Sequence, residues 1–409
     1  MNANHKHRTA EITLTITKEN GTPLANQEVE ITQTNHKFLF GSTGFSTIPL
    51  VNHELEGEKK AHAELHAKKL MDLFNFITLP FYWGRFEPER GRPDTKRILK
   101  TAEYFVNHGC RVKGHPLCWH TVTADWLMEM SNEEIIQTQV ARIQREVTDF
   151  AGLIDTWDVI NEVVIMPIFD KYDNGITRIA KELSRTGVIR TMFEAARSSN
   201  PGATLLLNDF DMSKDYEDLI ETCLSADIKI DALGLQSHMH QGYWGAEKTQ
   251  ETLERFARFK LPIHFTEISL VSGDLMPAEI VDLNDYQVDE WPTKPEAEIR
   301  QAEEAAELYQ ILFEHPAVEA ITYWELRDGG WLNAPSGLIR KDLSNKPAYD
   351  ALMNLVKNQW WLSPTKLITD DKGELRLNGY LGAYSISWKD KQTSFSMDTQ
   401  GASTLDIKI

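Results

Sequence analysis

Eight short apolar runs recur through the middle of the chain, and helical segments separate most of them. The runs are KFLFGST (37–43), NFITLPFYW (75–83), RVKGHPLCW (111–119), IDTWDVINE (154–162), TLLLNDF (204–210), DALGLQSH (231–238), PIHFTEI (262–268) and AITYWEL (320–326). Their lengths suit strands, and most are rich in β-branched and aromatic residues. Helical spacing marks 58–74, 95–109, 132–152, 187–202, 249–260 and 299–316. Ser131 with Glu134 three residues on is a capping-box signature for the third of these. Eight strands with helices between most of them predict a parallel α/β sheet closed into a (β/α)8 barrel, rather than an open doubly wound sheet.

The two ends of the chain read differently. EITLTIT places Ile12, Leu14 and Ile16 on one face, and QEVEITQT does the same with Val29 and Ile31. KENGTPLAN between them, centred on Asn20-Gly21, predicts a hairpin turn. Residues 373–400 again alternate, with Gly, Asp and Lys at the turns. A lone hairpin is marginal in water. Residues 1–36 and 361–409 are therefore expected to pair into one small accessory β domain flanking a barrel of residues 37–360. A scaffold role closing the edge of the barrel is expected for it.

Composition excludes several classes. The net charge is −18, from 43 basic and 61 acidic residues. Such a chain repels phosphate backbones, so no nucleic-acid partner is expected. No apolar run reaches the roughly 18 residues of a membrane span, so none is expected there either. The start lacks an apolar leader segment, which points to a cytoplasmic location. Three cysteines without a CxxC pair predict free thiols, and no zinc site. His238 and His240 lack a third ligand near them in sequence, so no metal or other cofactor is expected. His5 and His7 read as part of a solvated, disordered terminus rather than a metal site.

In a barrel of this kind, chemistry sits at the carboxyl ends of the strands. The last residues of the apolar runs are Tyr82-Trp83, His115 with Trp119-His120, Asn161-Glu162, Asn208-Asp209, Gln236 with His238, Glu267, and Trp324-Glu325. Random surface decoration would not sort polar and aromatic residues by strand end. Glu162 ends the fourth run and Glu267 the seventh, which places them across the mouth from each other. Two opposed carboxyls are what glycoside hydrolysis needs: one protonated to release the departing sugar oxygen, one ionised to attack the anomeric carbon. Asp155 and Asp158, in the same stretch as Glu162, read as structural.

With these residues in view, the sequence resembles glycoside hydrolase family 10, the retaining xylanases. KGHPLCWH (113–120), WDVINEV (157–163), LLNDFD (206–211), GLQSHM (234–239), FTEISL (265–270) and YWELRDGGWL (323–332) match its motifs in order, over roughly residues 40–360. The resemblance implies Glu162 as general acid/base and Glu267 as nucleophile. It implies His115, Asn161, Gln236 and His238 around the sugar at subsite −1, with Trp119, Trp324 and Trp331 as aromatic walls. The implied activity is a xylanase-like retaining β-glycosidase. It would hydrolyse β-1,4-linked xylosyl or glucosyl oligosaccharides through a covalent glycosyl-enzyme.

Two departures stand out. The family's Asn and Lys that hold the −2 sugar fall, counting back from Glu87-Pro88, on Leu79 and Tyr82. A site lacking those donors should hold a −2 xylose differently or hold another group. The Glu-x-Asp behind the strand-six histidine is here Glu267-Ile268-Ser269, which keeps a hydrogen-bonding group but loses its charge. An apolar −2 wall also fits a β-glycosidase that strips sugar from a plant aglycone. A carbohydrate-binding protein without catalysis is the remaining alternative.

Overall fold

A computed structural model describes residues 3–409. The chain begins with β1 (Thr9–Thr17) and β2 (Glu28–His36) and then enters the barrel. The barrel strands are β3 (Leu39–Thr43), β4 (Phe76–Pro80), β5 (Arg111–His115), β6 (Ile154–Asn161), β7 (Thr204–Asp209) and β8 (Ala232–Leu235). A two-residue strand β9 (His238–Met239), then β10 (Ile263–Leu270) and β11 (Val318–Tyr323), complete the set. Each barrel strand is parallel to its neighbours, and β11 pairs with β3 to close the ring. The longer helices are α1 (Gly57–Leu73), α2 (Thr95–Asn107), α3 (Asn132–Asp149), α4 (Gly175–Ser199), α5 (Lys214–Ser225), α6 (Gly245–Ala257), α7 (Pro295–Glu314) and α8 (Pro347–Asn354). The (β/α)8 architecture predicted from the alternation is therefore present.

Local chemistry sets the elements. The capping box at Ser131 and Glu134 forms in both directions and starts α3. The helix expected over 187–202 begins earlier, at Gly175, and is broken at Ser184, whose backbone is not helical. Helix α5 was not anticipated, although Tyr216, Leu219, Ile220 and Cys223 are buried along one face at helical spacing. Outward-facing strand residues and inward-facing helix residues share one large apolar core, which includes Leu70, Leu79, Phe105, Ile143 and Val159. Phe76, Leu39 and Ala320 form a separate small cluster.

The accessory domain adds β12 (Thr365–Ile368), β13 (Glu374–Tyr380), β14 (Gly382–Trp388), β15 (Lys391–Met397) and β16 (Gly401–Lys408). One sheet has the order β13-β1-β16 and the other β12-β2-β14-β15. Both chain ends contribute, as expected. The expected β1–β2 hairpin does not form, because the Asn20-Gly21 turn carries the chain from one sheet to the other. Ile12, Leu14 and Ile16 of β1 then face Val29 and Ile31 of β2 in one apolar core. That arrangement buries both apolar faces, which a two-stranded ribbon could not.

The domain does not close a barrel edge, since β3–β11 pairing leaves none. It packs beside α7 and α8 through an aromatic seam. The Phe313 and Trp360 rings stack at 4.1 Å. Arg8 donates to the carbonyls of Phe313, His315 and Val318 at 3.0, 2.8 and 2.6 Å. His5 is not solvated as the sequence suggested. It is buried in this seam, with Nδ1 3.0 Å from the Tyr380 hydroxyl.

Candidate active site

Strand β6 is buried at every position except Asp155. Gly114 on β5 makes room for it, because a Cβ there would collide with the Trp157 ring. Side chains along a strand alternate, so Asn161 and Glu162 should point apart. They do not, because Glu162 adopts a left-handed backbone conformation (φ 58°). Such a conformation costs a residue with a side chain about 1–3 kcal/mol. The Glu162 N–H donates to the Asn208 carbonyl at 2.8 Å, and the Val164 N–H to Asp209 Oδ2 at 3.0 Å, which holds the turn. Asn161 and Glu162 consequently enter the mouth together, with Asn161 Nδ2 3.1 Å from Glu162 Oε1.

Glu267 faces them from β10. It is the fifth residue of an eight-residue strand and not the last, because β10 continues to Leu270 alongside the short β9. Asn208 links the Glu267 carboxyl to the Asn161 amide, which in turn bonds Glu162. Its Nδ2 donates to Glu267 Oε1 at 2.9 Å and to Asn161 Oδ1 at 2.7 Å, while its Oδ1 accepts from Thr266 at 2.6 Å. Gly234 permits this, since a Cβ there would overlap the Asn208 amide. Gln236 Nε2 donates to Asn161 Oδ1 at 2.9 Å and reaches Glu162 Oε1 at 3.3 Å. Trp119 Nε1 donates to Glu162 Oε2 at 2.8 Å.

On the other flank, His238 Nε2 lies 3.1 Å from Glu267 Oε2, and His238 Nδ1 lies 3.0 Å from Ser269 Oγ. Ser269 therefore occupies the orienting position that the family resemblance gives to an aspartate. His115 Nε2 lies 3.9 Å from Glu267 Oε1, and its Nδ1 sits 2.7 Å from Asp158 Oδ2. Aromatic rings complete the walls. Trp331 is 4.5 Å from His238, and Trp324 is 5.3 Å from His115. Tyr82 is 5.7 Å from both His115 and Trp119. Glu162, Glu267, His115, Trp119, Asn161, Gln236, His238, Trp324, Trp331 and Tyr82 thus lie around one mouth.

Other expectations change. Leu79 is fully buried in the core between the barrel and its helices, so it lines no subsite. Only Tyr82 of the altered −2 pair faces the mouth. Trp83 turns away too, with the Arg142 guanidinium 4.8 Å from its ring centroid. Asp158 is more than structural filler. It is fully buried, 2.7 Å from Lys113 Nζ, and holds His115 in front of Glu267. Removing one member of a buried ion pair strands the other, at about 3–5 kcal/mol. Asp158→Asn should therefore lower unfolding stability by that order, read from chemical denaturation. Sequence reasoning gave no role to Lys113, read Asp158 as structural, and noted Asn208 and Asp209 only as polar residues at a strand end. Charged or amide residues inside strongly apolar strands were the available signal.

The electrostatics divide the two glutamates. Burial pushes the Glu162 carboxyl up to about 8, with the Glu267 and Asp209 charges adding to it against the Trp119 and Gln236 hydrogen bonds. Asp209 is itself pushed up to about 7 by burial. Burial would also raise Glu267, but His115, His238 and Lys113 outweigh it and hold Glu267 below the usual carboxylate range. One carboxyl is kept protonated at neutral pH and the other ionised.

The family model for glycosyl hydrolase family 10 matches residues 50–355, nearly the whole barrel. The chain belongs to glycosyl hydrolase family 10. Among its relatives, it is 27% identical over 359 residues to endo-1,4-beta-xylanase C of Paenibacillus barcinonensis, covering 77% of this chain and 32% of that protein. It is 27% identical over 316 residues to endo-1,4-beta-xylanase B of Thermotoga neapolitana, covering 72% of this chain and 85% of that one. The match thus spans about a third of the first relative's length and most of the second's. Solved family 10 structures share the fold. A Paenibacillus barcinonensis GH10 structure aligns with a TM-score of 0.64 at 24% identity, over 79% of this chain and 96% of that one. Xylanase 10B of Thermotoga petrophila RKU-1, solved with xylobiose, aligns at 0.63 and 21% identity over 79% and 95%.

Proposed function

We propose that this protein is a retaining β-glycosidase acting on β-1,4-linked xylosyl or glucosyl oligosaccharides. The observation that carries the reading is the opposite protonation of Glu162 and Glu267 within one hydrogen-bonded network. Ionised Glu267 attacks the anomeric carbon while Glu162 gives its proton to the departing glycosidic oxygen. The sugar is then held as an ester on Glu267. Glu162, now a carboxylate, takes a proton from water, and that water displaces Glu267 to release the sugar with its configuration retained. Asn161 and Asn208 fix the spacing of the two carboxyls, and His115 and His238 keep Glu267 anionic. The xylanase relatives make a xylosyl glycone the first choice. An apolar aglycone wall is not favoured, because Leu79 is withdrawn into the core.

The pH dependence tests the assignment. kcat/KM for an aryl β-xyloside should fall as pH rises through about 8, where Glu162 loses the proton it must donate. It should fall again on the acid side only below the ordinary carboxylate range, where Glu267 takes up a proton. Asp209→Asn removes a negative neighbour of Glu162 and should move the alkaline limb downward. An alkaline limb that stays put in Glu162→Gln would refute the role of Glu162. A screen of aryl glycosides with product mapping fixes the glycone.

A further inference from the structure

The connection from β10 to α7, residues 271–294, is longer than the roughly 15 residues beyond which loops usually carry a function. It is not loose. Val271, Met276 and Trp291 form a small apolar core of their own with Ala334, and Ile280, Leu283 and Tyr286 pack on it. Gln241, after β9, donates to the carbonyls of Pro277 and Ile280 at 2.9 and 2.8 Å.

The short turn 282–285 of this loop is held from two sides. Trp331, in the loop after β11, donates its Nε1–H to Asn284 Oδ1 at 3.1 Å. Lys171, in the loop after β6, places Nζ 2.6 Å from Asp282 Oδ2 and 2.6 Å from Asp285 Oδ1. Counted around the closed ring, β6 is the fourth strand and β11 the eighth, so the two anchoring loops rise from opposite sides of the barrel. The turn therefore joins loops that follow strands on opposite sides of the ring. The Trp331 anchor stands beside the catalytic carboxyls. The Trp331 ring packs on His238, which bonds Glu267, and Tyr172 beside Lys171 lies near enough to Glu162 to feel its charge.

We propose that residues 282–285 form a strap across the active-site mouth that restricts this enzyme to short oligosaccharides and chain ends, excluding internal bonds of long β-1,4-linked polymers. This rests on the glycosidase reading above. A polymer cannot be laid into a strapped mouth from above; it must be threaded from an end, whereas a short oligosaccharide diffuses in. The anchoring ion pairs are partly exposed, with Lys171 41% and Asp285 62% accessible at the side chain. Exposed pairs hold weakly and are screened by salt, so the strap is releasable.

The test compares the full-length protein with Lys171→Ala and with Asp282→Asn/Asp285→Asn on xylotriose and on soluble long-chain xylan. Reducing ends and solution viscosity are followed together. Release of the strap should raise polymer cleavage about tenfold, with a fall in viscosity, while kcat/KM on xylotriose stays within about twofold. Wild-type enzyme in ~1 M NaCl, where the screening length is about 3 Å, should shift the same way, and Lys171→Ala should not respond further. Lys171→Ala leaves the long loop itself unaltered, so it remains informative if the double variant misfolds. A wild type that already cuts xylan internally as well as xylotriose, or variants that leave the polymer-to-xylotriose ratio unchanged, would overturn the strap. Turnover of neither substrate, nor of any aryl β-glycoside, would instead overturn the glycosidase reading and the strap's role with it.

Discussion

Glu267→Ala will lose turnover by about 10⁶-fold on activated aryl glycosides and natural oligosaccharides alike, the scale seen when a covalent nucleophile is removed. No neighbouring carboxyl can replace it. Glu162 is held protonated near neutrality, and Asp209 is committed to the backbone N–H groups of Val164 and Asp211. His115 and His238 will remain around an empty place suited to an anion. Added azide should enter there, attack the sugar once and give a glycosyl azide of inverted configuration. Measurement requires single-turnover assays and product stereochemistry by NMR. Residual activity near the wild-type level would remove Glu267 from the mechanism.

Glu162→Ala should behave in the opposite way across substrates. General acid catalysis contributes about 10²–10⁴-fold where the departing oxygen needs a proton. Oligosaccharides should lose that much, because an alkoxide is a poor leaving group. Dinitrophenyl glycosides leave without help, so the first step should be nearly preserved and the glycosyl-enzyme should accumulate. Azide should then speed the second step and give a product of retained configuration, after two inversions. The alkaline limb near pH 8 should vanish with the carboxyl that causes it. Equal losses on good and poor leaving groups would contradict the acid role.

The barrel was legible because its strands are buried on both sides and read as continuous apolar runs. Polar residues gathered at the ends of those runs pointed to the mouth. Asn161-Glu162 was visible for that reason, but the left-handed turn that brings both side chains inward was not. Interior polar residues were harder to interpret. Lys113 and Asp158 sit within strands, and nothing in the spacing of residues 113 and 158 announces that they meet. Leu79 showed the reverse error: its place in a motif suggested a subsite, while strand alternation turned it toward the helices. The β1–β2 segment carried a sound turn, yet a turn alone does not say whether two strands share a sheet or face each other. The contacts of Lys171 with residues 282 and 285 were beyond reach, because loops over a barrel mouth meet in three dimensions without any periodic trace.

The pairing of β1 has a consequence for the order in which the molecule can be completed. Residues 10–17 lie alongside residues 401–408, while the other neighbour of β1 is β13. During synthesis β1 must wait for β16, with the entire barrel made in between. Loop closure over such a separation is slow compared with the local strand–helix contacts of the barrel. The barrel is thus the natural first unit to form, and the two-sheet unit follows it. Until then β1 presents two unpaired edges and an apolar face of Ile12, Leu14 and Ile16 to the surrounding solution.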